Sequence, residues 1–452
     1  MSTKLNIVIL AAGKGSRMKS DRLKVLHPFA GSTIIEQILA TSQQLSADKI
    51  IMVYGHQGQQ LQSHLAHEDL TWVEQAEPQG TGHALQLALP HLDKDAKVLV
   101  LMGDVPLIDA TDLQKLLRHS SAVITAKMDN PYGYGRIIKT ADGLVAAIVE
   151  EKDANSEQKQ IDEINSGIIM AAQGDLARWL VQINTDNAQG ELYLTDVLAI
   201  AHAENNSFHA ILVEDSRSIK GINDRVQLAQ CEAIKQAQLR KQLMLQGVYM
   251  PAPETVQIRG TITCGQDITI DAGVILIGDC DIADGVSIGA YSIINNCHLG
   301  ENTRIAAHSM LEQVYCAGDC DIGPYARLRP GTRVAEKAKI GNFVETKKTT
   351  IGYNSKASHL SYLGDSEIGD HVNIGAGTIT CNYDGVNKYK TIIEDGVFIG
   401  SDTQLIAPVT VGQGATIGAG TTLTKDAAAN KLTLSRSKQR TIDGWQKPTK
   451  NS

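Results

Sequence analysis

The stretch LNIVILAAGKGSRM, Leu5 to Met18, runs an apolar segment into a loop that carries Gly13 and Gly15, with Lys14 and Arg17 alongside. Glycines and cations after a strand are the ingredients of a phosphate cradle. Backbone N–H groups of Ala12 to Ser16 can converge as an anion-binding nest. Arg17 and Lys24 can neutralise charge as phosphoryl oxygens crowd together. Two common glycine motifs are excluded. Gly13-Lys14-Gly15-Ser16 lacks the G-x-x-x-x-G-K-[ST] spacing of the Walker loop, and the dinucleotide fingerprint needs a third glycine where Met18 stands. A second stretch, LMGDVPL (Leu101–Leu107), places Asp104 just past another apolar run. A carboxylate there suits Mg²⁺, a hard ion that keeps several waters and bridges protein to substrate phosphates. An Asp before a turn more often caps that turn, but beside a phosphate cradle the metal reading is the stronger one.

These residues need a scaffold. A chain of 452 residues exceeds one ordinary core, so at least two domains are expected. Over residues 1–225 short apolar runs alternate with helical stretches. KIIMVYG (Lys49–Gly55), KVLVLMGD (Lys97–Asp104) and AVITAKM (Ala122–Met128) read as buried strands. STIIEQILATSQQL (Ser32–Leu45) and TDLQKLLRHS (Thr111–Ser120) read as helices opened by Ser or Thr caps. The alternation predicts an α/β domain with a Rossmann-like, mostly parallel sheet, whose sites form at the carboxyl ends of strands. The glycine loop and Asp104 both lie at such ends. Asn223–Val248 has no glycine or proline before its closing Gly247, so a connecting helix is expected over 226–250.

From Pro251 onward the period changes. Ile270, Leu276, Ile282, Ile288 and Ile294 recur every six residues. So do Ile322, Leu328, Val334 and Ile340, and later Ile393, Ile399, Leu405, Val411, Ile417 and Leu423, often with glycine next. No α-helix has that period. A hexapeptide repeat predicts a parallel β-helix over 251–452, with aliphatics pointing into a prism and small residues turning its corners. The register loosens at Ser355–Gly369 and breaks at Thr378–Ile392, two segments expected to form loops on one binding face. Composition removes other classes. A net charge of −8 argues against general nucleic-acid binding, no apolar run approaches the roughly 20 residues of a membrane span, and MSTKLNIVIL lacks a signal-peptide layout. The seven cysteines form no C-x-x-C pair and read as reduced thiols in the core, which fits a cytoplasmic location.

LAAGKGSRM, Lys24, QGTGHA (Gln79–Ala84), GDVPL, GYGRI (Gly133–Ile137), VEEKDA (Val149–Ala154), EINSGI (Glu163–Ile168) and GINDR (Gly221–Arg225) resemble the motifs of sugar-1-phosphate nucleotidyltransferases. With the repeat region behind them, the whole chain resembles a bacterial bifunctional family. Its members join an N-acetylglucosamine-1-phosphate uridyltransferase to a glucosamine-1-phosphate acetyltransferase on a left-handed parallel β-helix. The resemblance implies that Leu10, Ala11, Ala12, Gly13, Gln75, Gly80 and Thr81 hold the uracil and ribose of UTP, with Met102 and Gly103 beside them. It places Arg17 and Lys24 on phosphates, Asp104 and Asn223 on Mg²⁺, and Gly135, Glu150 and Asn165 on N-acetylglucosamine. Ser16 replaces the family's usual Thr. Met102 stands where Tyr is expected, which changes the side chain offered there and spares any backbone contact. In the implied reaction a sugar-1-phosphate oxygen attacks the α-phosphate of UTP and pyrophosphate leaves. That nucleophile is already an anion, so alignment and charge neutralisation suffice without a base.

The second implied reaction moves the acetyl group of acetyl-CoA to the amine of glucosamine-1-phosphate. The amine must lose a proton as it attacks, so a base that titrates near neutrality is useful. His359 is the candidate, lying among Lys347, Tyr362, Asn373 and the Asn382–Tyr383 insertion, and it matches the family's general base. Arg329 (in ARLRPGT), Lys347, Tyr362 and Asn373 match the family's binders of the sugar phosphate. Ala376, Asn382, Tyr383, Ser401, Ala419 and Arg436 match its acetyl-CoA contacts. The resemblance also implies a homotrimer with sites between adjacent prisms, and a product that feeds peptidoglycan and lipopolysaccharide synthesis. The alternative is a single-activity sugar-1-phosphate nucleotidyltransferase whose β-helix is structural or regulatory. The length of the repeat, His359 and the basic tail LSRSKQR (Leu434–Arg440) count against it.

Overall fold

The computed structural model describes residues 4–13, 15–55 and 57–450. The chain divides into two compact units, Met1–Lys235 and Gln236–Ser452. A single helix, Arg225–Leu245, crosses that division and ends before Gly247, whose φ of 105° takes the chain out of it.

The first unit is built on a mixed sheet. Its main order is His209–Leu212, Ala122–Lys127, Glu163–Ala172, Lys97–Met102, Leu5–Ala11, Lys49–Tyr54 and Thr71–Glu74. Lys97–Met102 through Thr71–Glu74 pair in parallel, as the alternation predicts. Glu163–Ala172 runs antiparallel to both neighbours and carries the hairpin Arg136–Lys139/Val145–Val149 on its flank. The strand Leu5–Ala11 lies inside the parallel part, and Ile7, Val8 and Ile9 are fully buried. Burial of each such aliphatic stabilises by about 1.5–3 kcal/mol. The first helix, Ile34–Gln43, opens with the expected Thr33 cap, closed into a capping box by Glu36. The helix expected to begin with Thr111 instead spans Ala110–Leu116. Its cap is Asp109, whose carboxylate accepts from Asp112 N at 2.9 Å. Asp competes better than Thr for an N-cap because its charge also complements the helix dipole.

The second unit is a left-handed parallel β-helix. One inward column reads Ile270, Ile288, Ile305, Ile322, Ile340, Ala357, Ile374, Ile399 and Ile417, each paired with the next. All nine side chains are buried. Coils of 17 residues are interspersed with coils of 18, because one face takes five residues instead of six at Ile294–Leu299, Leu311–Cys316, Thr346–Ile351 and Leu363–Ile368. This corrects the expectation at Ser355–Gly369. That segment is not a loop; it forms the strands Lys356–His359 and Tyr362–Ile368, and the loosened register is one of these five-residue steps. The insertion in Thr378–Ile392 is a loop, between the strands Ile379–Cys381 and Thr391–Ile393.

The glycines that follow the aliphatics are not mainly corner residues. Gly341 has an ordinary φ, yet a Cβ there would lie 1.9 Å from Ser358 O of the next coil. Its role is close approach between coils. One corner is instead turned by Tyr291, His308, Tyr325, Phe343 and Leu360, all with φ between 48° and 59°. The first four rings stack at 5.4, 4.9 and 5.5 Å between centroids. Stacking of about 0.5–1.5 kcal/mol per pair offsets a left-handed backbone cost of about 1–2 kcal/mol per residue.

Candidate active sites

The strand Leu5–Ala11 delivers the glycine loop to the edge of a cleft of about 210 Å³. Leu10, Ala11, Ala12, Gly13, Lys24, Gln75, Gly80, Thr81, Met102, Gly103 and Asp104 all line it. Gly103 N donates to Leu10 O at 2.9 Å, which locks the ends of the two central strands together. Gln75 is buried and its Nε2 donates to Gly80 O at 3.0 Å. Gly13 faces open space, since a Cβ there would meet nothing within 4 Å. Gly15 has φ +60°, and a Cβ on it would lie 2.6 Å from Lys24 Cβ. The loop is therefore packed directly on Lys24. Lys14 lies outside the described residues. Arg17 sits in the turn Ser16–Met18, exposed, anchored by the buried Met18 beside it; it does not line the cleft.

A second cleft, of about 240 Å³, shares Thr81, Met102 and Asp104 with the first. Gly135, Glu150, Asn165 and Asn223 line it. Asn165 N donates to Gly135 O at 2.9 Å, and Asn165 Oδ1 accepts from Gly167 N at 2.9 Å. Burial holds the Glu150 carboxyl above its ordinary range, against the opposing hydrogen bond from Thr195 Oγ1 at 3.3 Å. Met102 packs where a Cβ on Gly167 would come within 2.9 Å of its Cγ. The Met in place of Tyr thus forms an apolar partition between the two clefts.

Where the clefts meet, the buried Lys24 donates from Nζ to Asp104 Oδ2 at 2.6 Å and to Asn223 Oδ1 at 3.3 Å. Ile222 N donates to Asp104 O at 2.8 Å, which holds the two oxygen-bearing residues side by side. One carboxylate and one amide oxygen, with a cation already drawn between them, make a hard-oxygen donor set of the kind Mg²⁺ uses when phosphates and waters complete its shell. Among the described residues no three His, Cys, Asp or Glu side chains cluster to hold a metal by themselves. Sequence reasoning missed the supports of this region. Arg136, almost wholly buried, pairs with Glu151 at 2.7 Å and donates to Tyr134 O, pinning the Gly133–Gly135 loop.

In the second unit, His359 ends the strand Lys356–His359 and is exposed. Its Nδ1 lies 2.9 Å from Asn342 Oδ1. Arg329 Nη1 pairs with Glu345 Oε1 at 2.9 Å, on the strand ladder that also carries Lys347 and Tyr362. The Lys388 ammonium, then burial and Arg329, hold the Lys347 pKa below its ordinary value. The cationic crowding outweighs the opposing Asp365 carboxylate at Lys347, and a cluster of that sign suits an anionic ligand. Lys388, contributed by the insertion loop, is a candidate the sequence did not single out. Asn373 lies one coil above Lys356. Ala376, Ser401 and Ala419 stack in successive coils: Asp402 N donates to Ala376 O at 2.7 Å and Gly420 N to Ser401 O at 2.8 Å. Arg436 lies over Gly418 at the top of that column. Asn382 is buried against Asp365 at 2.5 Å, whereas Tyr383 is 60% exposed.

Fold and clefts define a nucleotidyltransferase domain followed by a hexapeptide-repeat transferase domain. In agreement, a MobA-like NTP transferase domain matches residues 7–158, and the bacterial transferase hexapeptide (six repeats) matches residues 390–425. Over 450 residues, 99% of the chain, the sequence is 49% identical to the bifunctional protein GlmU of Janthinobacterium sp. (strain Marseille), covering 99% of that protein. It is 50% identical over the same length to the bifunctional protein GlmU of Herminiimonas arsenicoxydans, again with 99% of both chains covered. The chain belongs to the GlmU family of bifunctional proteins.

Proposed function

We propose that the chain makes UDP-N-acetylglucosamine in two reactions at separate sites. Acetyl-CoA first acetylates glucosamine-1-phosphate on the β-helix. UTP then uridylylates the resulting N-acetylglucosamine-1-phosphate in the first unit. The observation that carries the uridylyl reading is the Lys24 ammonium bridging Asp104 and Asn223 where two clefts meet. The glycine-loop cleft takes the nucleotide, with Leu10 to Gly13, Gln75, Gly80 and Thr81 around the base and ribose. The second cleft takes the sugar, with Gly135, Glu150 and Asn165 on its hydroxyls and acetamide. Mg²⁺ held by Asp104 and Asn223 would offset phosphate charge at the junction. The sugar-phosphate oxygen attacks the α-phosphorus, the bond to the β-phosphate oxygen breaks, and pyrophosphate leaves. Lys24 binds and orients the phosphates, and Arg17, free at the rim, closes on the departing ones.

At the second site His359 accepts a proton from the amine as nitrogen attacks the thioester carbonyl. The carbon–sulfur bond breaks, and the coenzyme thiolate takes up a proton. Arg329, Lys347 and Lys388 bind the sugar phosphate, with Tyr362 and Asn373 on the sugar. Asn382, Tyr383 and the Ala376–Ser401–Ala419 column with Arg436 line the path of acetyl-CoA. The exposure of His359 and Tyr383 in one chain supports a homotrimer in which neighbouring prisms complete each site. A cytoplasmic location is supported by seven free cysteines, and no helix among the described residues is long and apolar enough to cross a membrane. The product is the precursor for peptidoglycan and lipopolysaccharide.

The test supplies purified protein with glucosamine-1-phosphate, acetyl-CoA, UTP and Mg²⁺ and looks for UDP-N-acetylglucosamine. Product only when N-acetylglucosamine-1-phosphate is supplied would favour a single-activity uridyltransferase. His359→Ala should slow acetyl transfer by about 10²- to 10⁴-fold, the usual contribution of a positioned base, and leave uridylyl transfer intact. A mutant acetyl-transfer rate within about threefold of wild type would sink the base assignment.

A further inference from the structure

We infer that Asn342 is the positioning residue of the acetyl-transfer site, holding His359 in the tautomer with its proton on Nδ1 and its lone pair on Nε2. This rests on the reading of His359 as the base. Asn342 closes the strand Lys339–Asn342 and shares a rung with His359, in a ladder that runs Lys339↔Lys356, Ile340↔Ala357, Asn342↔His359. Its Oδ1 lies 2.9 Å from His359 Nδ1, and its main-chain O accepts from Leu360 N at 3.1 Å. Asn342 therefore grips both the imidazole and the peptide that follows it. Gly341, one residue earlier, sets the spacing: any side chain there would run into Ser358 O, so the two strands close to a distance only glycine permits.

An amide oxygen only accepts, so the ring nitrogen facing it must carry the proton, and Nε2 is left to accept. A carboxylate in the same place would fix the same tautomer and also favour the imidazolium, keeping the base protonated to higher pH. The amide orients without adding charge. No charged side chain shares the rung, and one coil on, the 17-residue step of this ladder brings Ala376 to it. The charged positions on the packed strands are Lys339 and Lys356, three residues before the rung, then Glu345, held by Arg329, with Lys347 and Lys348 on its own strand, and Asp365 and Glu367 on the strand paired with it. Tyr362 is a further titratable group on that ladder.

Two variants separate orientation from mere structure. Asn342→Leu removes the acceptor, and its acetyl-transfer kcat/KM should fall about tenfold, the order of one lost hydrogen bond. Uridylyl transfer and elution on a sizing column should match wild type. Asn342→Asp keeps the acceptor and adds charge. At high pH it should work near the wild-type rate, with the acid limb of its pH profile moved up by about one unit. A purely structural role lowers the rate at every pH and leaves that limb in place. Should Asn342→Leu not fold, the nearly isosteric Asn342→Asp carries the test. An acid limb at the wild-type position in Asn342→Asp overturns the inference. His359→Ala in the same assay keeps the two claims apart. If it retains acetyl transfer, the base reading has failed; if it loses acetyl transfer while Asn342→Asp keeps the wild-type profile, only the role of Asn342 has failed.

Discussion

Replacing Gly15 with alanine should cripple uridylyl transfer and spare acetyl transfer. Gly15 stands at φ +60°, where an L-residue costs about 1 kcal/mol. The larger effect is steric. The new Cβ would lie 2.6 Å from Lys24 Cβ, and ordinary contact begins near 3.4 Å, so one of them must yield by about 0.8 Å. Lys24 Cβ cannot swing aside, because it adjoins the backbone of the turn Lys24–Leu26, in which all three residues are buried. The displacement therefore reaches Nζ, which holds Asp104 at 2.6 Å and Asn223 at 3.3 Å. A misplacement of about 1 Å at a reacting centre can cost about 10²-fold, and kcat should fall by that order. The assay is pyrophosphate release from UTP and N-acetylglucosamine-1-phosphate with Mg²⁺. Thiol release from acetyl-CoA by the same preparation serves as the internal control. Pyrophosphate release within about threefold of wild type, with the control unchanged, would refute the claim that this loop sets the position of Lys24.

Asp104→Ala should lower pyrophosphate release by at least about 10²-fold, the order seen when one transition-state stabiliser is lost, and leave thiol release near wild type; equal loss of both in a folded protein would contradict separate sites. The carboxyl of Glu150 is held above the ordinary range, mainly by burial. Its ionisation therefore costs stability that grows as pH rises from the ordinary value through the raised one, and Glu150→Gln should raise Tm at neutral pH. Wild-type KM for N-acetylglucosamine-1-phosphate should climb as pH falls through that raised value, while the Gln variant stays flat there; identical KM profiles would count against Glu150 as a sugar ligand. Residues 1–235 expressed alone should keep uridylyl transfer and lack acetyl transfer, and a folded fragment without pyrophosphate release would overturn the domain reading.

Features that depend on local period were legible in the sequence. The run Leu5–Leu10 became a central strand, and the six-residue aliphatics became the inward columns of one shared core, because a side chain's inward or outward sense follows from its spacing alone. Features that depend on a neighbour brought in from elsewhere were not legible. Lys24 finds Asp104 and Asn223 at 80 and 199 positions' remove, and only the packed loop reveals that contact. Glu163–Ala172 reads as an apolar run of either sense, and its antiparallel direction is decided by the strands on either side. The bulky left-handed corners look like errors until the rings of successive coils are stacked. Asn342 could have been found, since it stands one 17-residue coil before His359. That required knowing that coils here shed a residue, which the strict six-residue pattern conceals.

The two proposed sites are built differently because their chemistries make different demands on a scaffold. Uridylyl transfer brings together two polyanions, and its requirement is fixed positive charge between them. One α/β unit meets it, since strand ends from a single sheet converge on Lys24, Asp104 and Asn223 without outside help. Acetyl transfer must hold a long coenzyme and a small sugar phosphate on opposite sides of one nitrogen, and keep water from the thioester. A single prism offers flat faces and convex corners, on which it presents a column of small residues and an exposed histidine. Lengthening the prism adds more faces of the same kind. A concave site arises when a loop folds out, as Asn382–Lys390 does, or when a second prism stands alongside. The insertion loop carries Val386, 84% exposed, at its tip. The short hairpin closed by Tyr383 and Lys388 carries the Lys388 ammonium back to Lys347, so this loop, and not the regular coil, supplies the extra cation proposed for the sugar phosphate.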